Sequence, residues 1–310
     1  MSDRRDTAAR LPVTLVVLSY NEERNLEACL SGMADWATDV FVVDSGSTDR
    51  TIEIAERLGA SVYTHPFETH ARQWQWALAQ LPITTDWVLA LDADQRLLPE
   101  LRQEIDVALR AGVPAEVTGF FMSRRQIFRG RWIRHGGYYP KYLLKLFRKS
   151  AVTMDAADLV DHHFIVSGNT RNLGHDLVED NRNEAEIAVW TAKHNRYAVL
   201  QARQELHARR RGRTVSWRAL LGHPDARVQW LKQVWARCPL FVRPCLYFMY
   251  RYVFRLGFLD GREGFIFHVL QAFWYRLLVD INILELRGEP EPRHAPVDAA
   301  QSAATSDTQR

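Results

Sequence analysis

Trp87-Val88-Leu89-Ala90-Leu91-Asp92-Ala93-Asp94 is a short apolar run that ends at two carboxylates, and it is the clearest indication of the fold in the sequence. A run of this length, rich in Val and Leu, is typical of a buried strand in a parallel sheet. Its two acids then lie at the carboxyl edge, where open α/β sheets bind ligands. Since side chains alternate along a strand, Asp92 and Asp94 face the same way and both can address one hard cation. The alternative is that these acids only begin the next turn and cap the helix that opens at Pro99.

Strand and helix patterns alternate around this stretch. Three more apolar runs, at 13–18, 40–43 and 61–64, are predicted to be strands. Helical spacing follows at 26–33, 52–58, 71–81 and 99–110, and Asp49 is predicted to cap the second of these helices. Strands that alternate with helices at this spacing specify a parallel sheet with right-handed crossovers.

Two common nucleotide-binding motifs are absent from the sequence. No G-x-G-x-x-G follows the first strand, and no G-x-x-x-x-G-K-[ST] occurs anywhere, which disfavours dinucleotide binding and P-loop phosphoryl transfer. A nucleotide is still an expected ligand, because Asp44 stands at the end of the second strand, where nucleotide folds place an acid. The alternative for Asp44 is a plain turn former.

Composition narrows the class of protein. The chain has 310 residues, of which 47% are hydrophobic and 25% are charged, enough for one large domain or for one domain and an appendage. The formal net charge is only +3, so overall charge does not favour nucleic acid as a partner. Cys29, Cys238 and Cys245 are odd in number and far apart, which argues against disulfides or a zinc site and indicates a reducing compartment.

The pattern is less regular after residue 110. Strands are predicted at 119–123 and 142–147, with an Arg-, Gly- and aromatic-rich loop at 124–139 between them and a long helix at 183–207. Residues 240–286 interleave aromatic side chains with arginines, and no uncharged apolar run there approaches the ~20 residues that span a bilayer. We predict a helix pair at the headgroup level of an anionic leaflet. The alternatives are a helical cap packed on the catalytic domain and a dimer interface.

Three motifs together resemble one family. Ser19-Tyr20-Asn21-Glu22, Asp44-Ser45-Gly46-Ser47-Thr48-Asp49 and Asp92-Ala93-Asp94 occur in this order at the predicted strand ends. In this respect the chain resembles the family 2 glycosyltransferases, inverting enzymes of the GT-A type, over roughly residues 11–200. His70-Ala71-Arg72-Gln73 is similar to the bacterial branch that builds lipopolysaccharide cores and exopolysaccharides.

The resemblance implies an α/β fold of the GT-A type, with a Rossmann-like, mostly parallel central sheet flanked by helices. It implies a catalytic domain at 11–235, with a nucleotide-sugar half at about 11–110 and an acceptor half at about 111–235. A membrane-associating helical segment follows at 236–287, and it is rich in aromatic and basic residues. Flexible or disordered tails are expected at 1–10 and 288–310.

The same resemblance implies where the nucleoside of the donor binds. Tyr20 and Glu22 would line the nucleoside pocket, Asp44 would accept from the base, and Asp92 would hold the ribose. The motifs add further residues to the predicted donor site: Ser19, Asn21, Ser45, Gln73 and Ala93.

The implied cofactor is a divalent cation, Mg²⁺ or Mn²⁺, held by Asp94. Such a cation would neutralise the charge that develops on the departing diphosphate. Arg72, with one arginine among Arg124, Arg125 and Arg134, would add a second positive contact to the diphosphate, although surface arginines are usually only solvated. Gln95 replaces an acid that often follows the second Asp of the motif, and we expect this change to weaken the outer shell of the metal.

Inversion also requires a base that takes the proton of the acceptor hydroxyl, a role worth roughly 10²–10⁴-fold in rate. The family supplies an Asp or Glu after the sheet in a Val-His-Glu-like element, whereas this chain has Val160-Asp161-His162-His163. We predict Asp161 as the base, with His162 as its rival and Asp158 third. A structural, helix-capping role is the alternative for Asp161.

The sequence therefore predicts a metal-dependent glycosyltransferase of the hexosyltransferase type. The expected donor is a nucleotide sugar, with UDP as the expected nucleotide, and the expected acceptor is a lipid-linked glycan of bacterial surface polysaccharide or lipopolysaccharide biosynthesis. The expected location is cytoplasmic, on the inner face of the plasma membrane. One alternative is a sugar-nucleotide nucleotidyltransferase, which should have a Gly-rich, Arg/Lys-bearing loop after the first strand. The other is a non-catalytic adaptor that binds RNA or membrane through the basic run at 209–213 and the C-terminal helices.

Overall fold

A computed structural model describes residues 10–154, 163–210, 235 and 238–287. The strands in these ranges are β1 (Leu11–Ser19), β2 (Ala37–Asp44), β3 (Ser61–Thr64), β4 (Trp87–Asp92), β5 (Gln95–Leu97), β6 (Val117–Phe128), β7 (Arg131–Trp132), β8 (Tyr142–Arg148), β9 (Val152–Met154), β10 (Phe164–Val166) and β11 (Asn169–Glu179). The α-helices are α1 (Leu26–Leu30), α2 (Thr51–Arg57), α3 (His70–Gln80), α4 (Pro99–Arg110), α5 (Ile187–Arg210), α6 (Val242–Met249), α7 (Gly261–His268) and α8 (Tyr275–Leu286).

The central sheet has the strand order β3-β2-β1-β4-β8-β6-β11-β5, and β7 pairs with β6 beside it. The first four strands in this order are parallel, as the alternation of strands and helices predicts. The other half is mixed, because β8 runs antiparallel to both β4 and β6 while β11 is parallel to β6. The predicted α/β fold class is confirmed, with the parallel arrangement in the N-terminal half.

Strand register brings the sequence motifs to one edge. In β1, Leu18 pairs with Asp92 of β4 on one side, and Ser19 pairs with Asp44 of β2 on the other. Neighbouring strands lie about 4.8 Å apart, so the ends of β2 and β4 are about 10 Å apart across β1. The predicted donor motifs therefore end side by side.

Alternating side chains divide the core into two layers, one on each face of the sheet. Leu15, Leu89 and Leu91 pack in the layer that includes α1 and α4. Val16 and Val88 pack in the other layer, against the fully buried Trp74 of α3. Because both faces of these strands are covered, their sequences are apolar throughout.

One predicted loop was wrong in part. Residues 124–128 belong to β6, which continues to Phe128. The reason is tertiary, since Arg124, Arg125 and Gln126 pair with the last three residues of β11. Local sequence, with its charged residues, gave no sign of this partner strand. The predicted long helix is present as α5, which begins at Ile187 after a 3-10 turn at Arg182–Glu184.

The C-terminal segment is helical, and one of its faces packs on α5. Tyr275, Val279 and Ile283 of α8 form a cluster with Ala198 and Ala202 of α5. The continuous helical stretch Gly257–Leu286 is long and apolar enough, by length and composition alone, to cross a membrane. Much of the outward surface of residues 241–284 consists of exposed apolar side chains: Phe241, Val242, Leu246, Met249, Tyr250, Val253, Phe254, Leu256, Phe258, Leu259, Phe265, Ile281 and Leu284.

A buried ion pair joins α6 to α8. Arg243 of α6 pairs with Asp280 of α8, and both side chains are almost completely buried. The same guanidinium donates to Glu205 of α5 at 2.9 Å. Loss of one member of such a pair leaves an uncompensated buried charge, so the triad requires α5, α6 and α8 to pack as one unit.

Candidate active site

Asp44 shapes the turn at the end of β2. Its carboxylate is fully buried and accepts from the backbone N–H groups of Gly46 (2.9 Å) and Ser47 (2.7 Å). It also accepts from the hydroxyls of Ser19 and Ser47. The turn-forming alternative for Asp44 therefore has direct geometric support, and its predicted contact with a base would have to share these four bonds. Gly46 has a φ of 91°, which this tight turn requires.

The turn after β1 is joined to the turn after β2. Asn21 lies in the left-handed region (φ 53°), and its side-chain oxygen accepts from the backbone N–H of Thr48 at 2.8 Å. The Asn21 N–H donates to the Ser47 hydroxyl at 2.8 Å. Beside them, the side chain of Tyr20 is 58% exposed, so its ring is available to a ligand at this edge. The two sequence motifs thus form one structural unit.

Gln95 stabilises the turn that carries Asp92 and Asp94. The Gln95 side chain is buried, its oxygen accepts from the Asp92 N–H at 3.2 Å, and its amide donates to Glu179 at 2.8 Å. Asp92 forms an ion pair with Lys145 of β8 at 2.8 Å. Gln95 therefore connects the acidic motif to β11. This role was not predicted from the sequence, where Gln95 was noted only as the replacement of an acid.

Four carboxylates surround this turn and form the acid cluster: Glu22, Asp92, Asp94 and Glu179. Two of them are compensated, because Lys145 pairs with Asp92 and Arg124 donates to both oxygens of Glu179 at 2.9 and 3.1 Å. Among the described residues, Asp94 and Glu22 have no ion-pair partner. Burial, and after it the Glu179 and Asp92 carboxylates, raises the pKa of Asp94 well above its usual value.

Glu22 is held by amide groups. Its carboxylate accepts from Asn25 at 2.6 Å and from Asn183 at 3.0 Å. Burial nevertheless raises the pKa of Glu22. The cluster therefore has more negative charge than its own cations neutralise.

Lys193 of α5 is a residue that sequence reasoning missed. It pairs with Glu184, and although burial lowers its pKa, the Glu184 carboxylate raises that pKa above the usual value. Its positive charge opposes the effect of burial, which raises the pKa of both Asp94 and Glu22. Lys145 was missed as well, although a single lysine within the otherwise apolar or aromatic run 142–147 is a signal for a buried partner.

The other predicted donor residues are placed as follows. Gln73 is buried and its amide donates to Ser45 at 3.2 Å, and Ala93 is buried in the acidic turn. Arg72 is exposed and pairs with Glu68. Arg124 is the predicted loop arginine that lies at the acid cluster. Arg125 instead pairs with Asp176, and Arg134 lies over the Trp132 ring.

The three candidate bases, Asp158, Asp161 and His162, lie outside the described residues. Their assignment stays a prediction.

The described part of the site fits a cation that shares its ligands with a substrate. No three His, Cys, Asp or Glu side chains of the described residues converge closely enough to hold a metal ion by themselves. Mg²⁺ is usually bound by one or two carboxylates together with substrate phosphates, rather than by an all-protein cage. Asp94, which lies beside Asp92 and has no ion-pair partner among the described residues, provides carboxylate oxygens of the kind that this arrangement uses.

Comparison with known proteins identifies the family. The family model described as "Glycosyl transferase family 2" matches residues 14–166. These residues form a glycosyltransferase family 2 domain. The family prediction is thereby confirmed, over a segment that includes all three motifs.

Relatives of this glycosyltransferase domain are similar over part of their length. An uncharacterized glycosyltransferase of Rickettsia bellii is 36% identical over 94 residues, which are 30% of this chain and 31% of the relative. A TPR repeat-containing protein of Synechococcus elongatus is 35% identical over 104 residues, 32% of this chain and 25% of that protein. This chain thus spans about a third or less of the length of these relatives.

Among solved structures, a mannosyltransferase of Pyrobaculum calidifontis in complex with GDP-Man and Mn²⁺ covers 90% of this chain and 88% of its own, at 17% identity and a TM-score of 0.47. Glucosyl-3-phosphoglycerate synthase of Mycobacterium tuberculosis, in complex with Mn²⁺, UDP and glucosyl-3-phosphoglycerate, covers 40% of this chain and 46% of its own, at 22% identity and a TM-score of 0.29. The family assignment depends on the sequence match rather than on these structures.

Proposed function

We propose that the protein is an inverting, divalent-cation-dependent glycosyltransferase that transfers a sugar from a nucleotide-sugar donor to a lipid-linked glycan. The observation that carries the proposal is the position of the Asp94 carboxylate, which has no ion-pair partner among the described residues, at the edge where the donor motifs of a family 2 domain meet. The sequence-based expectation of a UDP-linked donor is part of the proposal.

Different residues would hold the metal, bind the nucleoside and take the proton of the acceptor. Asp94, with Asp92 beside it, would hold Mg²⁺ or Mn²⁺, and the cation would supply positive charge to the diphosphate leaving group. Arg124 pairs with Glu179, and Lys193 interacts with Asp94. Both cations therefore offset part of the negative charge of the acid cluster. Tyr20, exposed beside the two joined turns, provides an aromatic face for the nucleoside. Asp161 is proposed to take the proton of the acceptor hydroxyl.

A lipid-linked acceptor is supported by the C-terminal surface. The large exposed apolar side chains concentrate on residues 241–284, with Arg255 and Arg262 exposed among them. An apolar surface with basic residues is suited to the headgroup region of an anionic leaflet. We propose that this surface keeps the enzyme on the cytoplasmic face of the plasma membrane, where a lipid-linked glycan of surface polysaccharide or lipopolysaccharide synthesis is accessible.

The test is a screen for nucleoside diphosphate release. The full chain is incubated with a panel of UDP- and GDP-sugars, with Mn²⁺, with Mg²⁺ or with EDTA. We expect one donor to release its nucleoside diphosphate in the presence of metal and not with EDTA. Asp94→Asn should lower this release by about 10²–10³-fold, while Glu53→Gln, in an exposed ion pair on α2, should leave it unchanged.

Other outcomes would support the alternatives. Pyrophosphate released from a nucleoside triphosphate and a sugar phosphate would indicate a nucleotidyltransferase. The absence of release and of any nucleotide-induced thermal shift would favour the adaptor.

A further inference from the structure

The chain between α6 and α7 forms a corner that exposes apolar side chains. We define the apolar corner as residues 254–259, in which Phe254 is 74% exposed and Leu256, Phe258 and Leu259 are each about half exposed. Leu256 lies in the left-handed region (φ 60°), which is unfavourable for a leucine. A strained backbone that presents an exposed leucine indicates a functional surface rather than a packing solution.

A second segment leads from this corner toward the acid cluster. The 133–139 loop ends at Tyr139, whose hydroxyl donates to Asp176 of β11 at 3.2 Å. Asp176 also accepts from Arg125 at 2.7 Å. Three residues later the same strand presents Glu179 to the acid cluster. The loop thus lies in the predicted acceptor half and contacts the strand that borders the site.

Asp260 fastens the loop to the corner. Its carboxylate is almost fully buried, accepts from the His135 backbone N–H at 2.8 Å, and pairs with the His135 ring at 2.7 Å. Two further bonds cross the same junction. Arg251 donates to the Gly136 carbonyl at 2.7 Å, and the Gly136 N–H donates to the Arg255 carbonyl at 2.9 Å.

His268 fills the centre of the junction. Its ring is fully buried, and neither ring nitrogen has a hydrogen-bond partner within the described part of the chain. A Cβ atom at Gly136 would lie 2.0 Å from the ring, and one at Gly257 would lie 2.5 Å from it. One glycine from the loop and one from the corner therefore close around the same side chain, which leaves the two segments no room to move separately.

We propose that Asp260 is a positioning residue that makes the 133–139 loop and the apolar corner one body, so that insertion of the corner into an anionic bilayer fixes the acceptor side of the site. The inference rests on the proposed membrane contact. It adds that bilayer binding at the corner affects the 133–139 loop through the contacts between Asp260 and His135. It also makes Gly257–Leu286 a segment that lies on one leaflet, because its first turns are fastened to the catalytic domain and α8 is packed on α5.

Hydrogen exchange with and without vesicles of phosphatidylethanolamine and phosphatidylglycerol tests this coupling in the full chain. With lipid at about ten times its apparent dissociation constant, a region stabilised by binding exchanges about tenfold more slowly. We expect this slowing in peptides of both the corner and the loop for the unmodified protein. In Asp260→Ala the corner should still be slowed and the loop should not. His135→Ala, which keeps the backbone bond, should lose part of the loop protection.

A matched control is available on α4. Glu104 accepts from the backbone and ring nitrogens of His175 in the same way that Asp260 accepts from His135. Glu104→Ala should leave the vesicle response of both regions unchanged. Loop protection that is equal in the unmodified protein and in both junction variants would overturn the inference while leaving the membrane contact intact. If vesicles fail to slow the corner itself, the membrane contact and this inference both fall, and nucleoside diphosphate release tests the transferase separately.

Discussion

The strand-end site and the C-terminal segment place their characteristic side chains in opposite ways. At the strand ends, acids are withdrawn from water: Asp44 is fully buried and Asp94 is half-buried with a raised pKa. In the C-terminal segment, apolar side chains are left in water, with Phe254 74% exposed. Each arrangement costs free energy unless something else compensates it. We propose that each region is completed by a different partner, a cation with a nucleotide in one case and a bilayer in the other.

The largest expected effect distinguishes the candidate bases. Asp161→Asn should lower turnover by about 10²–10⁴-fold, because the acceptor hydroxyl would lose the group that takes its proton. Affinity for the nucleotide should be unchanged, and His162→Gln should have a small effect on turnover. Steady-state kinetics with the donor found in the screen measures both variants. A severe loss in His162→Gln with normal turnover in Asp161→Asn would transfer the role to the histidine.

A smaller effect tests the apolar side of the comparison. Burial of a phenylalanine side chain contributes about 1.5–3 kcal/mol, so Phe254→Asp should weaken binding to anionic vesicles by about 10-fold or more. Its affinity for nucleotide should not change, since no residue of the corner takes part in the hydrogen bonds and ion pairs described for the strand ends. Val107→Asp is the matched control, because Val107 is also an exposed apolar residue (61%) but lies on α4 of the family 2 domain. Vesicle sedimentation should separate the two variants, and equal binding by both would place the membrane surface elsewhere.

The smallest effect concerns the junction between the two regions. Burial, followed by the charge of Arg251, lowers the pKa of His268 from 6.5 to about 4. The unfolded chain therefore takes up this proton more readily, so the stability contributed by neutral His268 is complete above about pH 6.5 and is lost as the pH falls toward 4. Asp260 and Arg251 are the charged groups that face the ring.

The melting temperature measured across this pH range tests the assignment. His268→Gln should have a flatter profile than the unmodified protein between pH 6.5 and 4. Parallel profiles would show that His268 does not titrate in this interval.

The parts of the fold that the sequence predicts are those determined by local pattern. Strands β1 to β4 were recognisable because their apolar runs are short and bounded by polar turns. The extension of β6 to Phe128 was not recognisable, because its charged residues pair with β11 about fifty residues further along the chain. Pairing between distant segments leaves no periodic signal.

The site shows the same limit. The motifs at 19–22, 44–49 and 92–94 were found from sequence because each follows a strand. Of the cations at the acid cluster, Arg124 was one of three candidate arginines, whereas Lys145 of β8 and Lys193 of α5 are brought to it only in the folded chain. The same holds for Asp260 and His135, which are 125 residues apart in sequence.

The central claim is that the acid cluster binds a nucleoside diphosphate together with a divalent cation. Calorimetric titration of UDP into the full chain, with Mn²⁺ and with EDTA, tests it most directly when repeated with Asp94→Asn and with Asp106→Asn, a variant of a surface ion pair on α4. We expect binding that requires Mn²⁺, is lost in Asp94→Asn and is unchanged in Asp106→Asn. Metal-dependent binding of equal strength in all three proteins would contradict it.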